Sequence, residues 1–236
     1  MTEILDGILK AFELIFSGDP RVYDITLRSL YVSGAATLIA ILWGLPIAMF
    51  LGLRNFRGKF LIKGVFSTLI GIPTVALGLI LYLVFSKGGP LRFFGLLYTP
   101  TAIIIGEAVL VTPIIVSFAT TAIEAVDREI LGLAKTLGAS ESQASIAVLK
   151  EALNGVFLAG VASFNRAIAE LGVAVLVGGG IVGWTEVLTT GIELETSRGN
   201  LNVAIALGII LLAIVFGINL TLSLIQRRAI WATPSI

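Results

Sequence analysis

Charged residues vanish from this chain over long stretches. Residues 29–53, 64–86 and 199–226 contain no Asp, Glu, Lys or Arg, and each stretch exceeds the roughly 20 residues a helix needs to cross a hydrocarbon core. Residues 93–123 are interrupted only by Glu107, and residues 152–185 only by Arg166 and Glu170. This patterning predicts membrane-crossing helices near 29–53, 63–86, 98–122, 150–177 and 201–226 in a single transmembrane domain over 1–236. The fourth is expected to stop near Val177, because Gly178, Gly179 and Gly180 lose the most backbone entropy on becoming helical. Residues 181–195 then read as a short amphipathic or re-entrant piece, with Trp184 placed for an interface.

At the front, Leu5, Ile8, Leu9, Phe12, Ile15 and Phe16 recur at helical spacing, with Glu3, Asp6, Lys10 and Glu13 on the other side. Residues 1–18 are therefore expected to form an amphipathic surface helix. They do not read as a signal peptide, since acids occupy the place of its basic start.

Composition agrees. Hydrophobic residues make up 57% of the chain, charged residues 13%, and the mean hydropathy is +1.02, against an apolar share of roughly 45 to 50% in soluble domains. The expected class is all-α integral membrane, in contact with lipid. Cysteine and histidine are absent, which removes disulfides, thiol nucleophiles, imidazole bases and the usual zinc ligands; no metal site and no catalytic residue is expected. The net charge of +1 is not gathered into a phosphate-binding stripe, so no nucleic-acid partner is expected.

Lysine and arginine set the expected orientation. Arg54, Arg57, Lys59, Lys63, Arg128, Lys135, Lys150, Arg227 and Arg228 fall on one side, against Lys10, Arg21, Arg28, Lys87, Arg92 and Arg198 on the other. The positive-inside rule then puts the C-terminus in the cytoplasm and the N-terminus outside, in a multi-pass protein of a prokaryotic cell (inner) membrane. The polar connection 124–145 faces the cytoplasm in this arrangement.

Within the first span, Ala36, Ala40, Gly44, Ala48 and Gly52 recur every four residues. In lipid, where apolar burial does not drive helices together, such a small-residue stripe lets another helix approach, from this chain or a second copy. Pro46, Pro73 and Pro113 each fall within a span and predict kinks.

Three ionisable groups fall at membrane depth, and each costs roughly 2.5 to 3.5 kcal/mol on insertion scales if it faces lipid unpaired. Ser163, Arg166 and Glu170 fall at i, i+3 and i+7, so Arg166 can reach Glu170 one turn away. This face is the candidate translocation pathway, and a plain structural ion pair is its alternative. Glu107, alone on its span and either protonated or paired with Arg166 across the bundle, is counted with this candidate pathway, a structural role being its alternative. No phosphate-cradling loop ending in lysine and serine or threonine is present. Energy must then come from another subunit or from an ion gradient.

Residues 137–140, Leu-Gly-Ala-Ser, preceded by Glu129 and Ala134 and followed by the amphipathic stretch 142–153, resemble the cytoplasmic coupling loop of ABC importer permeases. The family pattern is glutamate-alanine-alanine, three residues, glycine, nine residues, then isoleucine-x-leucine-proline. Aligned on Gly138, Ala134 matches, Gly132 and Leu133 occupy the first two places, and Lys150-Glu151 replace leucine-proline. The segments at 71–73, 87–91, 98–100, 166–172, 178–183 and 189–195 are similar to those of tungstate importer permeases, related more distantly to molybdate and sulfate permeases. Gly180 and Glu186 stand where that subfamily more typically has asparagine and arginine.

The resemblance implies the type I ABC importer permease fold and a non-enzymatic translocation subunit for an oxyanion, most of all tungstate. ATPase coupling would run through Glu129, Ala134, Leu137, Gly138, Ala139 and Ser140. The implied partners are a second permease copy in a homodimer, two ATPase subunits carrying ATP and Mg, and an extracytoplasmic oxyanion-binding protein; the chain itself would hold no cofactor. The alternatives are a permease for molybdate, vanadate or another anion, and a carrier driven by an ion gradient without an ATPase. Such carriers commonly show an internal repeat, and none relates the two halves here.

Overall fold

The computed structural model describes the backbone of residues 2–232 and the side chains of residues 5–127 and 129–221. Its regular elements, among the described residues, are all helical. The helices are α1 (Thr2–Phe16), α2 (Pro20–Leu53), α3 (Lys59–Leu69), α4 (Thr74–Phe85), α5 (Pro100–Glu124), α6 (Arg128–Thr136), α7 (Glu141–Glu151), α8 (Leu153–Ile168), α9 (Leu188–Ser197) and α10 (Leu201–Ala232). The side chains of Arg128, Arg227 and Arg228, used above for orientation, lie outside the described residues, as does that of Glu3.

Among the described residues, three helices are individually long and apolar enough to cross a membrane: α2, α5 and the 201–221 part of α10. Two bent pairs pass the same test when each is taken together, α3 with α4 at 97° and α7 with α8 at 67°. The first bend has a clear cause. Pro73 cannot continue a helix from the α3 side, and it sits in extended backbone (ψ 118°) immediately before α4. Pro46 and Pro113, by contrast, lie inside continuous helices.

The central helix is α5, with 72% of its most apolar stretch buried, against 33% in α2 and 22% in α10. The small-residue stripe of α2 docks on it. Ala36, Ala40 and Ala48 are fully buried, and a methyl group added at Gly44 would lie 3.0 Å from Ile115 Cγ2, one at Gly52 2.6 Å from Ile123 Cγ2. The stripe therefore finds its partner within this chain. Large side chains on the far side of α2, such as Leu38, Leu42 and Phe50, are exposed, as a lipid-facing surface would be.

The α1 helix forms where the periodicity predicts it, but Ala11 and Leu14 are buried with Val22, Ile25, Leu207 and Ile210. A methyl at Gly7 would lie 2.6 Å from Ile205 Cγ2 of α10. Thus α1 packs by its small residues against α10, and Leu5, Leu9, Phe12 and Phe16 point outward.

The fourth expected span, 150–177, is divided. Helix α8 ends at Ile168, and the chain resumes as a π turn, Ala174–Gly178, closed by Gly179 at φ 75°. Gly172 lies at the break because a methyl there would stand 2.8 Å from Thr74 Oγ1 and 3.0 Å from Val75 N, so the break packs against the start of α4. The 181–195 segment contains a turn followed by α9, held from below by Thr189 Oγ1 donating to the Glu170 carbonyl at 2.7 Å.

Candidate functional site

The connection between α5 and α7 is a built hairpin tip. Asp127 caps α6 by accepting from Glu129 N at 2.9 Å. At the other end, Gly138 N donates to the Lys135 carbonyl and Ala139 N to the Ala134 carbonyl, both at 3.0 Å, with Gly138 left-handed at φ 88°. These paired bonds form a Schellman closure, which satisfies the last carbonyls of α6 and favours glycine at that place. Ser140 then opens α7 through a capping box with Gln143. Each expected coupling residue from Ala134 to Ser140 thus has a structural task in turning the chain.

One side of α6 is anchored. Ile130 and Leu131 pack on the cluster that includes Ile123, Val148 and Ala152. The other side projects Leu133, exposed by 62%, and Leu137, exposed by 80%, one helical turn apart, with Glu129 also exposed. Leu133 was not evident as a contact residue from the sequence; its spacing of four from Leu137 was the available signal. The root of the hairpin is pinned by ions: Glu124 lies 2.9 Å from Lys59 Nζ and 2.5 Å from Lys63 Nζ, while Glu141 lies 3.5 Å from both Arg54 and Lys135.

The second constellation lies deeper. Arg166 Nη1 donates to Glu170 Oε2 at 2.6 Å, although Glu170 is beyond the end of α8. Glu170 Oε1 accepts from Val173 N at 3.1 Å, so the same carboxylate caps the turn that follows the break. Arg166 keeps about a third of its side chain open while Glu170 is buried. Ser163 is fully buried with an unpartnered hydroxyl, and Glu107 is buried with Oε2 unpartnered. Glu107 nevertheless lies within reach of the charges of Glu170 and Arg166 and beside Ser33. The structure therefore brings Glu107, Arg166 and Glu170 together, with only Arg166 open.

A third cluster, at the end of α2 opposite the hairpin, was not legible in the sequence. Arg21 Nη2 donates to Glu186 Oε1 at 2.8 Å and to Glu195 Oε1 at 2.7 Å. Arg198 lies 3.3 Å from Glu195 Oε1, and Asn200 donates to its Oε2 at 2.8 Å. Burial works against the charged form of Glu195, but the bonds from Asn200 and Arg21 outweigh it and hold its carboxyl below the usual range. Arg28 donates to the Glu186 carbonyl at 2.9 Å and the Gly183 carbonyl at 3.1 Å. Together these bonds strap the 181–200 segment to α2. The departure at Glu186 was the one signal, because an acid where arginine is usual needs a cation elsewhere. Nearby, Tyr98 adopts φ 62° and its carbonyl accepts from Trp184 Nε1 at 3.1 Å.

Residues 44–231 match the model of a family described as binding-protein-dependent transport system inner membrane component. The chain is 41% identical over 228 residues to the tungstate uptake system permease protein TupB of Peptoclostridium acidaminophilum, covering 97% of this chain and 100% of that one. It is 34% identical over 224 residues to the TupB of Campylobacter jejuni, covering 95% and 94%. Among solved structures, the crystal structure of an amino acid ABC transporter with histidines superposes with a TM-score of 0.62 at 22% identity, over 92% of this chain and 98% of that one. The shared fold is that of a type I ABC transporter permease. With the family match spanning most of its length, this chain belongs to the inner membrane components of binding-protein-dependent transport systems.

Proposed function

We propose that the chain is the membrane-spanning half of an ATP-driven oxyanion importer, with tungstate as its cargo. The observation that carries the coupling part is the hairpin tip: a capped helix, rooted in α5 and α7, that holds Leu133 and Leu137 clear of the protein. Two apolar side chains one turn apart on a rigid projection fit a groove on a partner and transmit its displacement to α5 and α8. Tungstate follows from the two TupB relatives, whose similarity runs over nearly the whole chain.

In this reading two copies of the chain enclose the path, two ATPase subunits bind ATP and Mg below, and a binding protein delivers the anion from outside. The hairpin end faces the cytoplasm and the Arg21 end faces out. Arg166 offers the passing anion brief attraction: its guanidinium is shared with Glu170, so it binds weakly and releases. The strap from Arg21 to Glu186 and Glu195 holds the outer segment in place.

Co-purification tests this. An ATPase should accompany the wild-type chain, and Leu133→Asp with Leu137→Asp should abolish that association while the permease stays folded. Retention of the ATPase by the double variant would refute the docking assignment.

A further inference from the structure

The connection between α4 and α5 turns two large rings away from the protein. Phe93 is 81% exposed and Phe94 71%, although Leu96 and Leu97, a few residues on, pack against the core shared by α2, α4 and α5. A core was within reach, and the rings do not enter it. Nor is the turn loose. Leu91 N donates to the Val84 carbonyl at 3.1 Å, and Phe94 N and Gly95 N donate to the Leu91 and Arg92 carbonyls, both at 3.2 Å. A methyl on Gly89 would lie 2.2 Å from the Leu83 carbonyl oxygen, so the chain lies flat against the last turn of α4. At its far end, Tyr98 N donates to the Val177 carbonyl at 2.8 Å.

Charge accompanies the rings. The Arg92 guanidinium carbon stands 4.9 Å from the centre of the Phe93 ring, which leaves the N–H groups at its edge free to donate. Lys87 is exposed at the start of the same connection. At this end of the molecule Arg21, Arg28 and Arg198 are each joined to a carboxylate; among the described residues Lys87 and Arg92 are not. The connection also begins where a lipid-facing row ends. Val75, Leu79 and Leu83 recur every four residues along α4, each exposed by half or more. A soluble partner fits this surface less well than lipid does: one that visits and leaves returns both rings to water at each departure, whereas the bilayer stays.

We propose that the turn Arg92–Phe94 is a membrane-interface anchor. Phe93 and Phe94 enter the headgroup–acyl boundary at the end of α5 away from the hairpin, and Arg92 and Lys87 bind the phosphates of the lipids around them. This needs nothing from the transport reading. Because Leu96, Leu97 and Tyr98 tie the connection to the core, the anchor fixes the depth at which α5 begins.

The chain has no cysteine, so a single nitroxide label at Phe93→Cys or Phe94→Cys reports the surroundings of each ring without background. The test uses the purified full chain in vesicles of phosphatidylglycerol and phosphatidylcholine. Both labels should collide more with dissolved oxygen than with a water-soluble nickel chelate, as should a label at Leu42→Cys on the exposed face of α2. A label at Leu137→Cys on the hairpin tip should show the reverse. Adding Lys87→Gln and Arg92→Gln to the labelled chains should raise their collisions with the chelate. Preference for the chelate at both Phe93 and Phe94 overturns the anchor. So does a chelate preference that ends only when the extracytoplasmic binding protein is added, which assigns the turn to that partner. Unchanged collisions in the charge variants overturn the phosphate contacts. The two ring positions are measured in separate chains, so the test stands if one substitution prevents folding.

Discussion

Arg166 reaches past the end of its own helix to hold Glu170 at 2.6 Å, and Glu170 in turn caps Val173 N at 3.1 Å. One ion pair thus bridges the break between α8 and the π turn. Removing the arginine leaves a buried carboxylate without a counter-ion, and because Arg166 is one-third open the expected loss of stability is about 2 kcal/mol, below that for a fully enclosed pair. Arg166→Lys should fold, retain the ATPase and lose most oxyanion uptake, since lysine offers a point charge instead of a planar fork. Thermal unfolding and vesicle uptake measure the two effects separately; unchanged uptake in Arg166→Ala would remove the pathway role.

The coupling tip depends on a left-handed residue. Nothing lies within 4 Å of a methyl group built on Gly138, so Gly138→Ala introduces no clash and tests backbone conformation alone. At φ 88° the expected cost is about 1 kcal/mol. Local hydrogen exchange at 134–140 should rise, and ATP hydrolysis should respond less to cargo, while global unfolding changes little. Gly132, in ordinary helix with open space around it, is the control: Gly132→Ala should be neutral or slightly stabilising.

The seam between α2 and α5 tolerates no added bulk. Gly52→Leu would drive a side chain into Ile123, which a methyl alone already approaches to 2.6 Å, and overpacking of this kind costs typically 1–3 kcal/mol. Gly52→Leu combined with Ile123→Ala should recover part of the loss. Thermal unfolding in detergent of the two single variants and the pair reads the coupling directly.

The outer strap should loosen in acid. The folded-state carboxyl of Glu195 titrates below its ordinary range, so its contribution is present above the unfolded value of about 4.3 and is lost as pH falls through the lower folded value. Protease sensitivity of the 181–200 segment should therefore increase only below about pH 4. In Glu195→Gln the same sensitivity should already be present at neutral pH. Equal protection of both proteins at all pH values would contradict the strap.

Much of the architecture was readable because lipid imposes simple rules. Uncharged stretches marked the long apolar helices α2 and α10, and the four-residue repeat from Ala36 to Gly52 marked the α2 face that meets α5. The pairing of Arg166 with Glu170 followed from their spacing, even though α8 stops between them. Helix breaks were harder. Gly178 to Gly180 pointed to an end near Val177, and the helical turn does end at Gly178, but an earlier break at 169–171, where a side chain caps the following turn and Gly172 meets α4, leaves no compositional mark. The strap was invisible for another reason. Arg21 and Glu186 are 165 residues apart, and no local pattern links positions that only the fold brings together. The leucines of the tip show the opposite case: Leu133 and Leu137 are ordinary in the sequence, and their exposure is what marks them.

The most direct test of the account is cargo uptake by vesicles containing the purified permease, its ATPase and the cognate binding protein. The account predicts tungstate accumulation that requires ATP and all three components, and that falls to background with Leu133→Asp and Leu137→Asp in a permease that remains folded. Accumulation by the permease alone, driven by an ion gradient without nucleotide, would contradict it.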